Sequence, residues 1–380
     1  MKRKPLVIVG IVLGILVLCV IAIWPAAPLW ARLGAESICI QGSWPKMRLV
    51  SCQPPVMDLP TVTPLSTPGE HEPIPIIFDD DGSPDGLIAL LYFLGNPHYD
   101  VRAVMISSGE AHPDLFAPQL SQLLAGLGRA GIPVGVGRAT PLEGNNAFPD
   151  PWRQASDSFW EIELPQTSTA TEPQPAAELI IEILSNSSSS MMFFLSGTHT
   201  NLAEALRTDP SITEHISGIY VMGGSIYIPG NIESDWPEIH NRVAEWNIWV
   251  DPVAADEVFT SGLPLHLIPL DATNKVTWTE ADALSWANLA TPESGYAAEI
   301  LRMMLRSWSV EHAYIWDLAA AVIMTDKRLC PEVPLALDVV MDPGPEQGRT
   351  IVGGGAVNAQ VCLEPDPAQI MLNVNAVLGP

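Results

Sequence analysis

The fold is decided by residues 74–85, which read IPIIFDDDGSPD. The run Ile74–Phe78 is short, apolar and rich in isoleucine, which favours a buried strand. Gly82 permits a tight turn, Ser83 can cap a helix, and Pro84 suits the first helical position. The stretch therefore predicts a buried strand, an acidic turn and then a helix.

The alternation of strand and helix continues along the chain from this first unit. Further strands are predicted at Val101–Ile106, Pro133–Val136, Met191–Leu195, Ile216–Met222 and Leu265–Ile268. Helices are predicted at Pro84–Leu94, Leu115–Arg129, Ala176–Leu184, Asn201–Arg207 and Pro252–Thr260. Because parallel strands need crossover helices, the pattern predicts an α/β fold with an open, mostly parallel sheet and helices on both faces.

The N-terminal part predicts a membrane anchor. Residues 1–25 combine a basic start, Lys2–Lys4, with the apolar run Leu6–Trp24, which is long enough to span a bilayer as a transmembrane helix. The charges before the run predict a single-pass cell-membrane protein with its main domain outside the cytoplasm. A cleaved signal peptide is the alternative. Residues 26–73 are rich in proline and predict an extracytoplasmic linker.

The rest of the chain is predicted to hold one large domain and a smaller part. Residues 74–330 carry the strand and helix alternation and form the predicted α/β domain, with long insertions at 138–175 and 225–245. Insertions of this length in a compact domain are usually functional or disordered. Residues 331–380 contain short strand patterns with Gly turns and predict a small C-terminal β appendage.

Cysteine usage agrees with export. The pairs Cys39–Cys52 and Cys330–Cys362 are each close in sequence and can form disulfides in an oxidising compartment. Four cysteines allow three pairings, so the other two pairings remain open. The cysteine and histidine spacings do not match a zinc site.

The charge balance limits the classes of partner. Acidic side chains outnumber basic ones 43 to 18, for a formal net charge of -25. Nucleic-acid polymers are therefore not expected as partners, because phosphate binding needs clustered Lys and Arg. A neutral small substrate or a bound cation is compatible with this composition.

Three carboxylates follow the first predicted strand, at the edge of the sheet where ligands bind in open α/β folds. Asp79, Asp81 and Asp85 can converge on one point. They repel one another unless a cation compensates or one is protonated, and hard oxygen ligands favour Ca²⁺ or Mg²⁺. A solvated acidic turn with a helix-capping Asp is the alternative.

Further motifs follow in a characteristic order. The chain has GTHTN at residues 197–201, MGG at 222–224, E-x-N-x-x-x-D-P at 245–252 and a late Asp317 opening a helix. Together with Asp-x-Asp after the first strand, this series resembles the inosine-uridine-preferring nucleoside hydrolase family. The resemblance implies a Rossmann-like fold, a bound Ca²⁺, hydrolysis of the N-glycosidic bond of a small riboside, and possible homo-oligomers.

The resemblance also implies roles for individual residues. Asp81 corresponds to a residue that binds calcium and acts as the base on the attacking water. The other implied calcium ligands are Asp85, the backbone carbonyl of Thr200, and Asp317. The residues implied to hold the substrate ribose are Asp79, Asn231, Glu245 and Asn247.

The chain departs from the family pattern at three places. Gly86 stands where an Asp calcium ligand is expected, so either Asp85 takes over that role or calcium binds weakly or not at all. The Asn after the second strand is absent, and Glu110 or His112 can replace it in substrate binding. Trp316 stands in place of a His beside the leaving base and can stack on that base.

These departures leave an alternative function open. The protein can instead be a catalytically silent, cell-surface riboside-binding protein. A purely structural anchor is a third reading, but a scaffold does not need the convergent carboxylates that this chain retains. Hydrolysis with Asp81 as base is the favoured prediction.

Overall fold

The computed structural model describes residues 72–379, apart from 168 and 290, and three short segments before them. These segments are strands β1 (Ala31–Leu33), β2 (Glu36–Gln41) and β3 (Arg48–Ser51), which form an antiparallel sheet. They lie inside the stretch predicted as a linker. The predicted anchor, residues 1–25, lies outside the described residues. Among the residues that are described, no helix is both long and apolar enough to cross a membrane.

The part from residue 72 onward is built on strands and helices in alternation. The strands are β4 (Ile74–Asp80), β5 (Tyr99–Ile106), β6 (Val134–Val136), β7 (Gln174–Pro175), β8 (Met191–Leu195), β9 (Ile216–Met222), β10 (Leu265–Ile268), β11 (Trp278–Thr279), β12 (His312–Ala313), β13 (Glu332–Leu335), β14 (Leu337–Val339), β15 (Thr350–Val352) and β16 (Ala359–Cys362). Nine of them form the main sheet, in the order β13-β16-β10-β9-β8-β4-β5-β6-β7. The predicted strands and the mostly parallel sheet are confirmed.

The helices connect these strands and also follow the predicted pattern. They are α1 (Pro84–Gly95), α2 (Pro113–Gly126), α3 (Asp150–Asp157), α4 (Ala176–Ser185), α5 (Thr200–Thr208), α6 (Ile232–Asp235), α7 (Trp246–Val250), α8 (Pro252–Thr260), α9 (Leu270–Thr273), α10 (Glu280–Ala287), α11 (Pro292–Ser307), α12 (Trp316–Thr325) and α13 (Pro367–Leu378). The insertion at 138–175 contains α3, and the insertion at 225–245 contains α6.

The sheet is covered on both faces, and β4 shows why its sequence is apolar throughout. Ile76 and Phe78 belong to one buried cluster, whereas Ile77 belongs to a second cluster on the opposite face. Successive side chains of a strand point to opposite faces, so a strand between two helical layers needs apolar residues at both. The first cluster includes α1 and α12, and the second includes α4, α5 and α8.

Strand order places the functional loops together. From β4 the chain moves outward through β5, β6 and β7, and then returns to β8, which pairs with β4 on its other side. The chain next continues through β9 and β10. The boundary between β4 and β8 is therefore the topological switch point, where a crevice forms beyond the carboxyl ends of the strands.

The C-terminal part is not the separate β appendage that the sequence predicted. Strand β16 pairs in parallel with β10, and β13 pairs antiparallel with β16, so both extend the main sheet. The apolar alternation of Ala359 and Val361 is buried in that sheet. Helix α13 was missed, although Ile370, Val374 and Leu378 are buried at helical spacing.

One predicted disulfide is confirmed. Cys330 and Cys362 are bonded, with a Cα–Cα distance of 5.6 Å, and the bond ties the end of β16 to the chain entering β13. Cys52 lies outside the described residues, so the Cys39–Cys52 pairing stays a prediction.

Candidate active site

A cavity of about 990 Å³ opens beyond the ends of β4, β8 and β9. Its acidic lining residues are Asp81, Asp85, Glu110, Glu161, Asp235, Glu245 and Asp317. Of the described residues that line it, none is Lys or Arg. A cavity of this charge favours a cation or a neutral ligand with many hydroxyl groups over an anionic one.

Asp81 is a fixed, buried carboxylate in the wall of this cavity. It is 1% exposed, and its Oδ2 accepts a hydrogen bond from the backbone N–H of Glu110 at 3.1 Å. Gly109 allows this close approach, because a Cβ there would lie 2.6 Å from Cγ of Asp81. Oδ1 of Asp81 has no hydrogen-bond partner among the described residues. One oxygen is therefore anchored and the other is available to a ligand.

Asp85 and Asp317 join the first turns of two helices at the cavity. The backbone N–H of Asp317, in α12, donates to Oδ2 of Asp85, in α1, at 3.3 Å. The hydroxyl of Ser83 donates to Oδ2 of Asp317 at 3.2 Å and accepts from the N–H of Gly86 at 2.9 Å. The structure thus brings together two side chains that are far apart in sequence and that were both predicted as calcium ligands.

Asp80 is a buried carboxylate that the sequence interpretation did not single out. Strand alternation places it on the same face as Phe78, toward α1. Its Oδ1 accepts from the hydroxyl of Ser196 at 2.9 Å, and its Oδ2 accepts from the N–H of Gly82 at 2.8 Å. Asp80 is 3% exposed and does not line the cavity. The signal that could have identified it is the additional Asp between Asp79 and Asp81, combined with the missing carboxylate at Gly86.

Two side chains predicted to bind substrate do not reach the cavity. Asp79 points to the opposite face of β4, where its Oδ1 accepts from Nδ2 of Asn201 at 2.9 Å. His112 lies outside the cavity lining, with its Nδ1 2.7 Å from Oδ2 of Asp157. Glu110, the other candidate at this loop, does line the cavity, so the structure favours Glu110 over His112.

Thr200 is buried at the first residue of α5 and does not line the cavity. Its hydroxyl donates to Oδ2 of Asp251 at 2.7 Å, and Asp251 also accepts from the N–H groups of Leu142 and Ala254. The side chain therefore joins α5 to the start of α8. Calcium binding by its backbone carbonyl stays a prediction.

Glu245 and Asn247 form a rigid polar corner of the cavity. Glu245 caps α7, because its carboxylate accepts from the N–H groups of Asn247 at 2.9 Å and Ile248 at 3.3 Å; it also accepts from the N–H of Gly224 at 2.9 Å. Nδ2 of Asn247 donates to the carbonyl of Ser196 at 3.1 Å and to that of Met222 at 3.2 Å. Asn231 also lines the cavity, and its Oδ1 has no partner within the described part of the chain. Three of the four predicted ribose-binding residues, Asn231, Glu245 and Asn247, are thus brought to one cavity, whereas Asp79 is not.

Aromatic side chains form the outer wall. Trp316 lines the cavity, and its indole N–H donates to Oδ1 of Asn274 at 2.7 Å while its ring stacks on Tyr314 at 5.5 Å. The other Phe, Tyr and Trp residues of the lining are Phe148, Trp152, Trp160, Trp246, Trp308 and Tyr314. Only Trp316 was predicted to bind the base. The tryptophans of the 138–175 insertion reach the site through tertiary packing, although the length of that insertion did indicate a functional loop.

The carboxyl groups of the site are buried close together, so they repel one another with little screening by water. Burial raises the pKa of Asp81 well above its usual range, and the neighbouring Asp80 and Glu110 raise it further. Burial also raises the pKa of Asp80 to about 7 and the pKa of Glu245 to about 7. For Asp317, burial and then the proximity of Asp85 raise the pKa well above its usual range. Such a group of acids is stabilised either by protons or by a cation.

The donor chemistry of the loop fits a hard divalent cation. Asp80, Asp81, Asp85 and Asp317 supply carboxylate oxygens, the ligand type that Ca²⁺ prefers. The unpartnered, buried Oδ1 of Asp81 is an open ligand position. Within the described residues, no group of three or more Asp, Glu, His or Cys side chains is already arranged to hold a metal ion. Protein donors engage both oxygens of Asp80 and one of Asp85.

The open α/β sheet and its acidic cavity at the switch point are compatible with a hydrolase that acts on N-glycosyl compounds. The family model for inosine-uridine preferring nucleoside hydrolase matches residues 76–372. The chain belongs to this family, and the resemblance drawn from the sequence motifs is confirmed. The match extends through β16 into α13, which agrees with the C-terminal strands being part of the main sheet.

Known relatives are similar over most of their length. The chain is 30% identical over 303 residues to the pyrimidine-specific ribonucleoside hydrolase RihA of Citrobacter koseri, covering 77% of this chain and 94% of that protein. It is 29% identical, with the same coverage, to the pyrimidine-specific ribonucleoside hydrolase RihA of Escherichia coli. These relatives are N-glycosyl hydrolases, which places this chain among enzymes.

Solved structures share the fold. A purine-preferring ribonucleoside hydrolase from Gardnerella vaginalis superposes with a TM-score of 0.71 at 23% identity, covering 80% of this chain and 98% of that one. An inosine-uridine preferring nucleoside hydrolase from Bacillus anthracis superposes with a TM-score of 0.68 at 22% identity, covering 80% and 99%. At such identities the similarity establishes the fold only.

Proposed function

We propose that the protein hydrolyses the N-glycosidic bond of ribonucleosides or related ribosides, with Asp81 as the base that activates water. The observation that carries this proposal is the position of Asp81 in the cavity wall. Its Oδ2 is anchored on the N–H of Glu110, and its Oδ1 is buried and lacks a partner among the described residues. That oxygen can accept the proton of a water molecule held at the cavity floor.

The polar corner suits the ribose ring. Hydrogen bonds to backbone groups hold the side chains of Glu245 and Asn247 in place. Their oxygen atoms therefore have a fixed orientation. The unpartnered Oδ1 of Asn231 supplies a further acceptor on the same cavity. Carboxylate and amide oxygens accept hydrogen bonds from the hydroxyl groups of a ribose cis-diol. The surrounding carboxylates also stabilise the positive charge that develops at C1′ as the bond breaks.

The aromatic wall suits the base. Trp316 is locked by its hydrogen bond to Asn274 and by stacking on Tyr314, so it presents a preformed flat surface. A planar base can stack on such a surface. Pyrimidines and purines both have the required flat face. The preference between them depends on the size of the base that the pocket can hold.

The acidic loop would hold the metal ion. Asp81, Asp85 and Asp317 line the cavity, and Asp80, next to Asp81 in the chain, is buried without lining it. A divalent cation bound there would lower the pKa of a coordinated water and offset the repulsion between the carboxylates. The catalytically silent alternative receives less support, because a relative that is 30% identical over 303 residues is a ribonucleoside hydrolase and because Glu245, Asn247 and Asn231 all line the cavity.

The test is the release of free base from a panel of purine and pyrimidine ribonucleosides. We expect hydrolysis of at least one ribonucleoside, a fall of about 10²-fold or more when a chelator removes the cation, and recovery when Ca²⁺ is added back. Matching 2′-deoxynucleosides are the control and should react more slowly, because they lack one of the hydroxyl groups held at the polar corner. Measurable ribose binding without release of base from any riboside would favour the silent alternative.

We also propose that the enzyme is exported and tethered to the cell membrane. The apolar run Leu6–Trp24 and its basic flank support the tether, and the Cys330–Cys362 disulfide supports an oxidising compartment. The full chain should remain in the membrane fraction after an alkaline wash, whereas a variant lacking residues 1–25 should appear in the soluble fraction. Equal distribution of the two forms would contradict the tether.

A further inference from the structure

We propose that Asp80 is a ligand of the divalent cation and that Asp80 and Gly86 form a matched pair. In this arrangement the carboxylate comes from the end of β4 and fills the place that a side chain at position 86 would occupy. The inference rests on the proposed function, in which the acidic loop binds a cation. It also explains how the chain can lack a carboxylate at position 86 and still hold a metal.

The geometry shows that the two positions are mutually exclusive. Gly86 lies in the first turn of α1, facing the carboxylate of Asp80. A Cβ built on Gly86 would overlap Oδ1 of Asp80, and it would lie 2.5 Å from its Cγ and 2.8 Å from Oγ of Ser83. Any side chain at position 86 would therefore displace the Asp80 carboxylate. Glycine at 86 is the residue that lets Asp80 occupy this place.

The carboxylates around Asp80 form a place where a cation would be stabilised. Asp80 is 3% exposed, and the acidic groups of Asp81, Asp85 and Asp317 interact with it electrostatically. Its own hydrogen bonds come from two neutral donors. Arg153 is buried near this loop, but its guanidinium points to Oγ of Ser108 at 3.4 Å. A single guanidinium does not balance this group of carboxylates.

A second observation points to a ligand at the same place. Asp81 is 1% exposed and directly follows Asp80, and its Oδ1 lacks a partner among the residues described. A buried carboxylate oxygen without a partner is unfavourable unless a bound group satisfies it. Each carboxylate offers about four lone-pair sites, so the two hydrogen bonds to Asp80 leave room for a cation as well.

The test measures calcium binding directly rather than activity. In the full-length protein, the Ca²⁺ affinity of the Asp80→Asn variant should fall by at least about 10²-fold relative to wild type in equilibrium dialysis with ⁴⁵Ca²⁺, because ligand charge sets affinity. Asn keeps the shape of Asp and an acceptor for the N–H of Gly82. The matched control is Asp209→Asn, since Asp209 caps a remote turn through the N–H of Ser211 at 3.0 Å. The control should bind Ca²⁺ like wild type.

Moving the carboxylate from position 80 to position 86 separates a loss of Ca²⁺ binding from a loss of folding. In the double variant Asp80→Ala/Gly86→Asp, the carboxylate moves to the helix and the overlap disappears. Its Ca²⁺ affinity should return to within about tenfold of wild type. Gly86→Asp alone should unfold at lower temperature than wild type, because the new side chain meets the Asp80 carboxylate.

The outcomes separate this inference from the proposed function. If wild type binds Ca²⁺ and Asp80→Asn binds it equally well, Asp80 only caps the turn and the inference is overturned. The inference also fails if the double variant folds but does not recover Ca²⁺ affinity. If wild type binds no Ca²⁺ yet releases base, the cation is not required and Asp80 has no metal to bind. Failure of wild type to release base from any riboside would count against the hydrolase assignment itself.

Discussion

Replacing Asp81 with Asn is expected to lower kcat for base release by about 10³-fold, because general-base catalysis contributes about 10²–10⁴-fold. Asn has the shape of Asp and retains an oxygen that can accept from the N–H of Glu110, as Oδ2 of Asp81 does at 3.1 Å. It cannot take a proton from water. The fold should remain intact, so steady-state release of base and thermal unfolding should be measured on the same preparation.

The control for this variant is Asp100→Asn. Asp100 is an exposed residue of β5 paired with Arg102, and it lies outside the cavity lining. An exposed ion pair contributes little to stability, so both kcat and the unfolding midpoint should match wild type. If Asp81→Asn kept more than about a tenth of wild-type kcat, a loss far below the range for general-base catalysis, Asp81 would not be the base.

Removing the Cys330–Cys362 disulfide is expected to produce the largest loss of stability. The bond closes a loop with a sequence separation of 32 residues. In the chain-entropy model a loop of this length contributes about 4 kcal/mol. The double variant Cys330→Ala/Cys362→Ala should therefore unfold at a lower denaturant concentration. The loss is expected because the bond holds together β13 and β16, the two outermost strands at this edge of the sheet.

Treatment with a reductant provides the control for the disulfide variant. Wild type in reductant should lose stability toward the level of the double variant, whereas the double variant should change little. Thiol labelling followed by mass spectrometry would establish that Cys330 and Cys362 were reduced. An unchanged unfolding midpoint in fully reduced wild type would show that the bond contributes little to stability.

The predicted fold was mostly confirmed because its signals are local. Apolar runs such as Met191–Leu195 and Ile216–Met222 are long enough and separated well enough to mark buried parallel strands. The C-terminal part was misinterpreted for the opposite reason. Strands β13 and β16 are short. The pairing of β16 with β10, and of β13 with β16, consists of long-range contacts that no local pattern reports.

Some residues of the candidate site were predicted correctly from the sequence, and others were not. Asp81, Asp85 and Asp317 were predicted from motif order, and the structure brings them to one cavity. Asp79 was grouped with them because it is close in sequence. Asp79 does not line the cavity, because its side chain leaves β4 on the face opposite Asp80, where its Oδ1 accepts from Nδ2 of Asn201. Proximity along a strand therefore does not imply a shared site.

The acidic turn at residues 79–85 shows what the sequence determines and what only the tertiary structure decides. By itself the sequence determined the strand, the turn, the helix start and the family, because each depends on residues that are close together or on the order of short motifs. Only the tertiary structure decided which carboxylate faces the cavity and that Asp80 fills the space beside Gly86. That relation is a contact between a strand end and a helix turn, and close packing, rather than sequence spacing, sets it.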